Sequence, residues 1–160
     1  MAAIIKEQLK EMNGQLNFRI IRNGVLYKCE TIKNLIVTQG RFNLAKLLGG
    51  QTGMHVTHVG IGTGTDAAIS TDMDLSNVIK VPVSEVRVAS GLMAPDKTTF
   101  DDTRIVQFHF RIGLETGNGM KIGEYGLFCA DSTLFSRIVR DSVFEKTSID
   151  AIEGYWQIQF

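Results

Sequence analysis

The motif with the most chemical promise is Gly60-Ile61-Gly62-Thr63-Gly64-Thr65. A glycine-rich loop holds phosphate where it joins a strand to a helix N-terminus, because backbone amides then point at the anion. Here the spacing is not G-x-G-x-x-G, no Gly-Lys-Ser/Thr follows, and no helix signal begins at Thr65. A strand end that needs positive φ or close backbone packing is the better reading. His55 and His58 lie three apart beside a strand pattern, which puts them on opposite faces and unsuits them as a metal pair. The acidic pairs Asp72/Asp74 and Asp101/Asp102 lack the ligand spacing of a Ca²⁺ loop and read as solvated loops. No G-x-S-x-G elbow occurs. His109 shares the more polar face of its strand with Gln107 and Arg111, which suits a surface or inter-subunit hydrogen bond. These residues predict no catalytic group, no cofactor and no metal.

The other reactive or stacking side chains read as packing. Cys29 and Cys129 both sit in apolar strand patterns, so each is expected as a buried free thiol. A disulfide between them would need Cα atoms within about 7 Å. Phe18, Tyr27, Phe108, Phe110, Phe128 and Trp156 all occupy core positions of strand patterns.

The elements that carry these residues follow from periodicity and breakers. Residues 2–12 read as a short amphipathic helical arm with Ile5, Leu9 and Met12 on one face, stopped by Asn13-Gly14. Residues 15–31 form a hairpin about Asn23-Gly24, a pair that suits a type I′ turn. A two-residue loop sets Ile20 opposite Tyr27 and Phe18 opposite Cys29, giving an apolar face of Leu16, Phe18, Ile20, Tyr27 and Cys29. Residues 38–48 read as the one sizeable helix. Thr38 is its N-cap, Phe42, Ala45 and Leu48 form a stripe beside Leu44 and Leu47 for packing on a sheet, and Gly49-Gly50 ends it.

Further strands are expected over residues 56–62, 77–89 (with an edge or a bend at Pro82), 103–112 and 153–160, the last with Trp156, Ile158 and Phe160 facing the core. Residues 124–130 and 134–139 pair about Asp131-Ser132-Thr133. The first of these two strands is apolar on both faces, which places it inside a sheet and not at a wet edge. Residues 90–101 read as an exposed loop and residues 141–152 as polar and irregular. The fold class expected is mainly β: an antiparallel β-sandwich of about seven or eight strands, with one main helix and a short N-terminal helical arm. Residues 1–14 form the arm, and residues 15–160 form a single domain.

Composition narrows the function. Lys+Arg and Asp+Glu are equal at 17 each in 160 residues. A nucleic-acid binder carries a basic excess to neutralise phosphates, and neither the total nor any local run supplies one. Zero net charge removes self-repulsion and favours association. No apolar run approaches the roughly 20 residues that span a bilayer, and no signal-peptide pattern opens the chain, so synthesis in a reducing cytoplasm is expected.

The order of segments carries a resemblance: KNLIVTQGRFNLAKLLGG, then THVGIGTGT, VQFHFRI, GEYGLFCADSTLFSRIV, a Lys-Thr segment, and a closing YWQIQF. Together, over roughly residues 33–160, these segments resemble a family of small bacteriophage tail proteins, tail-fibre or baseplate-associated. The resemblance implies a non-enzymatic structural protein of the virion tail, made in the host bacterial cytoplasm. It also implies assembly with copies of itself and with other phage tail proteins, without nucleic acid or membrane insertion. The arm, the loop 90–101 and the segment 141–152 are the candidate contact regions, with Ile5, Leu9, Met12, Leu92, Met93 and Tyr155 as candidate partner contacts. The alternative is a carbohydrate-binding host-recognition module, for which Tyr125 and Tyr155 are the candidate stacking residues.

Overall fold

A computed structural model describes residues 12–160. The expected helical arm, with Ile5 and Leu9, lies outside the described residues. Among those described, the chain is mainly β with antiparallel sheets and one helix. In order the elements are β1 (Asn13–Arg22), β2 (Val25–Lys33), β3 (Leu35–Ile36), α1 (Thr38–Leu48), β4 (Val56–Gly62), β5 (Ile79–Pro82), β6 (Glu85–Val88), β7 (Leu92–Met93), β8 (Thr99–Phe100), β9 (Ile105–Ile112), β10 (Lys121–Cys129), β11 (Leu134–Glu145) and β12 (Asp150–Gln159). One sheet runs β2-β1-β12-β9-β6, a second runs β3-β11-β10-β4-β5, and β7-β8 is a small ribbon. These strands outnumber the expected seven or eight because short pieces such as β3, β7 and β8 are too brief to show a period.

One apolar cluster draws on both five-stranded sheets. Leu16, Phe18, Ile20, Phe110, Ile112, Ile152 and Trp156 come from the first, and Val59, Ile61, Ile122, Tyr125 and Leu127 from the second. The Phe18 and Tyr125 rings meet at 5.1 Å between centroids. β10 is the interior strand its two apolar faces predict. Tyr125 and Leu127 join the shared cluster, while Phe128 turns to a second cluster with Val37, Leu75 and Leu134. Its turn into β11 uses the expected residues: Asp131 accepts the Thr133 amide at 3.1 Å and the Thr133 hydroxyl at 2.6 Å. Ser132 takes a φ of 70° there.

Five expectations are corrected. First, the β1–β2 turn has positive φ at both Asn23 and Gly24, as a type I′ turn requires. However, a bulge after Ile20 sets Lys28 opposite Ile20 and Cys29 opposite Arg19. Val25 and Leu26 keep the expected register, Tyr27 falls on the bulge, and from Lys28 onward the extra residue reverses the face each side chain takes, so Tyr27 and Cys29 are exposed and Cys29 is not a buried thiol. Second, Val37, not Thr38, is the N-cap of α1, and no side chain caps it; the Thr38 amide donates to the Ser70 carbonyl at 2.9 Å.

Third, the stripe Phe42, Ala45 and Leu48 faces solvent. The helix meets β11 with its opposite side. Gly40 sits against the Phe135 carbonyl, where a Cβ would collide with backbone. Asn43, fully buried, donates to the Thr133 hydroxyl at 2.6 Å. Fourth, residues 141–152 are not irregular: β11 runs to Glu145 and β12 starts at Asp150. Fifth, Phe160 is exposed, past the end of β12, although its amide donates to the Arg104 carbonyl at 2.9 Å.

Candidate functional site

The glycine-rich segment does hold an anion, but the anion is the chain's own. Glu124 on β10 is fully buried, and its carboxylate accepts the Gly64 amide at 2.9 Å and the Ser76 amide at 2.7 Å. A Cβ at Gly62 or Gly64 would lie 2.5 Å from Glu124 Oε1, so these glycines serve close approach and not positive φ. Arg137 on β11 closes the arrangement. Its guanidinium donates to Glu124 and to Asp72, both at 2.8 Å, and to the Asp66 carbonyl at 3.0 Å. Burial disfavours its charge, yet the bonds to Asp72 and Glu124 hold its pKa up. The Thr63, Gly64 and Ser76 amides are therefore engaged within the chain, and the loop 63–76 is tied to the sheet. Sequence pattern missed Glu124. The available signal was a carboxylate in the middle of a strand apolar on both faces, which demands a partner.

A cavity of about 330 Å³ opens on the outer side of the first sheet. Cross-strand register builds its floor. Asn17 lies opposite both Thr31 and Tyr155, Tyr155 lies opposite His109, and His109 lies opposite Glu85. The end of β7 and the turn that follows it fold over this floor and bring Met93 and Lys97 to the rim. A side-chain amide pins that cover: Gln107 accepts the Met93 amide and donates to the Met93 carbonyl, each at 2.8 Å. Arg19 and Arg111 flank one wall and share Glu153, each at 2.6 Å.

The floor groups are tuned by burial. Tyr155 is only 4% exposed, and its hydroxyl is pushed up to about 12 by desolvation and by the charge of Asp96, so it stays protonated at neutral pH. Desolvation and the charge of Arg87 lower the pKa of His109, leaving it neutral there too. His109 Nε2 lies 3.2 Å from Gln107 Oε1, and its ring packs on Tyr155 with centroids 5.4 Å apart. The expected surface or inter-subunit bond of His109 is thus made within the chain, because β7–β8 covers a face that the strand period leaves open. Asn17 is 5% exposed; its Oδ1 accepts the Thr31 hydroxyl at 2.7 Å, and its buried Nδ2 has no partner among the described residues.

No family model, curated protein or solved structure matches the chain.

The residues singled out by sequence pattern scatter over this frame. Leu92 is fully buried, while Met93 is half-buried at the cavity rim; Tyr155 lies on the cavity floor. Met12 is half-buried against the shared core. Tyr125 is fully buried and beyond reach of a ligand. His58 Nδ1 lies 2.8 Å from the hydroxyl of its neighbour Thr57. Among the described residues no group of three or more His, Cys, Asp or Glu is placed to hold a metal ion.

Apolar side chains do face solvent elsewhere. Phe42 is 55% and Leu48 84% exposed on α1. Val25, Leu26 and Tyr27 are exposed at the tip of the β1–β2 hairpin, and Val86 and Val88 on β6. β2 and β6 are the two end strands of the same sheet.

Proposed function

We propose that this protein is a non-enzymatic structural component of a bacteriophage tail, in the baseplate, fibre-attachment or tail-tip region. It is a single β-sandwich domain that docks to copies of itself and to other tail proteins of the virion. The observation that carries the reading is the outward stripe of α1. A short surface helix ordinarily buries its apolar side, whereas here Gly40 and Asn43 face the sheet and Phe42, Ala45 and Leu48 face away. Exposed apolar residues at both end strands of one sheet add edge surfaces that suit head-to-tail contacts between copies, which build rings or filaments according to whether the rotation between copies closes. Zero net charge leaves no repulsion to oppose them. The motif order of the sequence, similar to small tail proteins, supplies the tail setting.

Light scattering after size exclusion tests the self-docking. The wild type is expected to associate with rising concentration, and a Phe42→Ser/Leu48→Ser variant to run as monomer with an unchanged circular dichroism spectrum. A wild type that remains monomeric to about millimolar concentration, a range where even weak contacts populate, would refute it.

A second reading is carbohydrate binding by a host-recognition module. The cavity favours it: Tyr155 forms its floor beside the unpartnered Asn17 amide. Glycan-array binding that disappears on Tyr155→Ala supports this reading, and no signal on a broad array sinks it.

A further inference from the structure

We propose that residues 1–11 fold back along α1 of their own chain and cover its outward stripe, and thereby gate docking between copies. The proposal rests on the self-docking reading of that stripe and adds its regulation.

The root of the arm lies beside the helix. Met12 and Arg41, the latter in the first turn of α1, line one cavity of about 460 Å³ together with Gln15, Lys33 and Gln157. Met12 also packs against the shared core, which fixes the point from which residues 1–11 depart. Eleven residues in helical form extend about 16 Å, and α1 is itself 11 residues long. An arm that leaves Met12 along α1 therefore runs antiparallel to it and reaches Leu48.

The two faces complement each other. A helical period puts Leu9 and Ile5 on the side that carries Met12, so both turn toward the domain. α1 presents Phe42, Ala45 and Leu48 outward, with a small residue between two large ones. In antiparallel order Leu9 falls near Ala45, and Ile5 beside Leu48. A helix as short as the arm is marginal alone in water, and burial of its apolar face is what stabilises it.

Charge favours the same arrangement. The described lining of the cavity holds Lys33 and Arg41 and no carboxylate. α1 carries Arg41 and Lys46 and no acid. Lys46 Nζ sits 4.2 Å from the centre of the Phe42 ring, and Asp131 is close enough to feel its charge. Arg41 stands at the root of the arm, where Glu7 and Glu11, four apart on one flank, supply the anions. Lys6 and Lys10 fall on the other flank. Tethering selects the chain's own arm: a short link gives an effective concentration of about millimolar, so a neighbour's arm competes only above that. A second copy that docks on the stripe needs the uncovered state, and its apparent affinity falls with the fraction uncovered.

Paramagnetic broadening in the full chain tests the cover. A nitroxide on Ala3→Cys, in a Cys29→Ser background, is expected to broaden the Ala45 and Leu48 amides of the chain that bears it, and about tenfold dilution should leave this unchanged. Buried Cys129 stays free of the label. Broadening that appears only when spin-labelled chains are mixed with isotope-enriched, label-free ones means arms exchanged between copies and overturns the proposal, as does broadening in neither sample. Light scattering reads the gate. Ile5→Ser/Leu9→Ser should associate at about tenfold lower concentration than the wild type, because uncovering the stripe raises the competent fraction. An unchanged or higher midpoint overturns the gate. If Phe42→Ser/Leu48→Ser associates as the wild type does, the self-docking reading falls, while broadening at Ala45 and Leu48 still supports the cover.

Discussion

Asp150 offers a prediction whose size follows from geometry. It opens β12, is fully buried, and accepts four hydrogen bonds: from Arg22 Nε at 2.8 Å, from the second Arg22 nitrogen at 3.2 Å, and from the Thr147 amide and hydroxyl at 2.9 and 2.8 Å. Burial alone would push its carboxyl up, but the bonds from Arg22 and Thr147 more than offset this and hold it at about 2, against an ordinary 3.8. That difference amounts to roughly 2 kcal/mol of stability at neutral pH. The folded pKa is depressed, so the contribution is present above the unfolded value and is lost as pH falls through the folded one. By about pH 3 roughly half of it is gone. Asp150→Asn removes the charge and turns an amino group toward donors. The expected loss at pH 7 is about 2–3 kcal/mol, less than for a wholly buried pair, because the Arg22 side chain is 33% exposed. Urea unfolding of both proteins at several pH values is the assay. Other carboxylates held low, such as Asp96, Asp102 and Asp131, titrate in both proteins and cancel in the difference. A gap below about 1 kcal/mol at pH 7, or one that stays constant down to about pH 3, would refute the reasoning.

Further outcomes follow from the buried acid of the glycine loop and from the two thiols. Glu124→Gln should cost about 3 kcal/mol or more, because Arg137 loses a charged partner and two amides lose a full anion. Hydrogen exchange at Gly64 and Ser76 should accelerate more than at Leu127, and equal protection in both proteins would contradict the clamp. In the native protein iodoacetamide should label exposed Cys29 and spare Cys129, which is 1% exposed and whose pKa burial raises. Labelling of both at one rate, followed by mass spectrometry, would count against that burial.

Periodicity and breakers made the bounds of β4 and α1 legible, and Asp131-Ser132-Thr133 marked the turn out of β10 correctly. Periodicity also told which side of α1 is apolar. It could not tell which side has a neighbour, and Gly40 and Asn43 decided that: one through the absence of a side chain, the other through a hydrogen bond. The bulge in β2 leaves no trace in an alternating pattern, since a single inserted residue reverses parity without changing composition. Residues 141–145 look irregular because their side chains are exposed or half-exposed, with Phe144 the one that packs against the shared core. At the candidate site, Tyr155 was legible as a residue of interest, whereas Asn17 was not. Its importance comes from a turn 76 or more residues later in the chain that folds over it, at Met93 and beyond.

The position of β12 sets the timing of folding. It is the middle strand of its sheet, with β1 on one side and β9 on the other, yet it follows both in synthesis. Until it emerges, the β1–β2 hairpin has no second neighbour, and Leu16, Phe18 and Ile20 have no Trp156 or Ile152 to cover them. Pairing that joins strands so distant in sequence closes a long loop and is slow to form. A ribosome-bound chain therefore carries an apolar, sticky ribbon until β12 emerges, and chaperone demand should peak just before β12 is released.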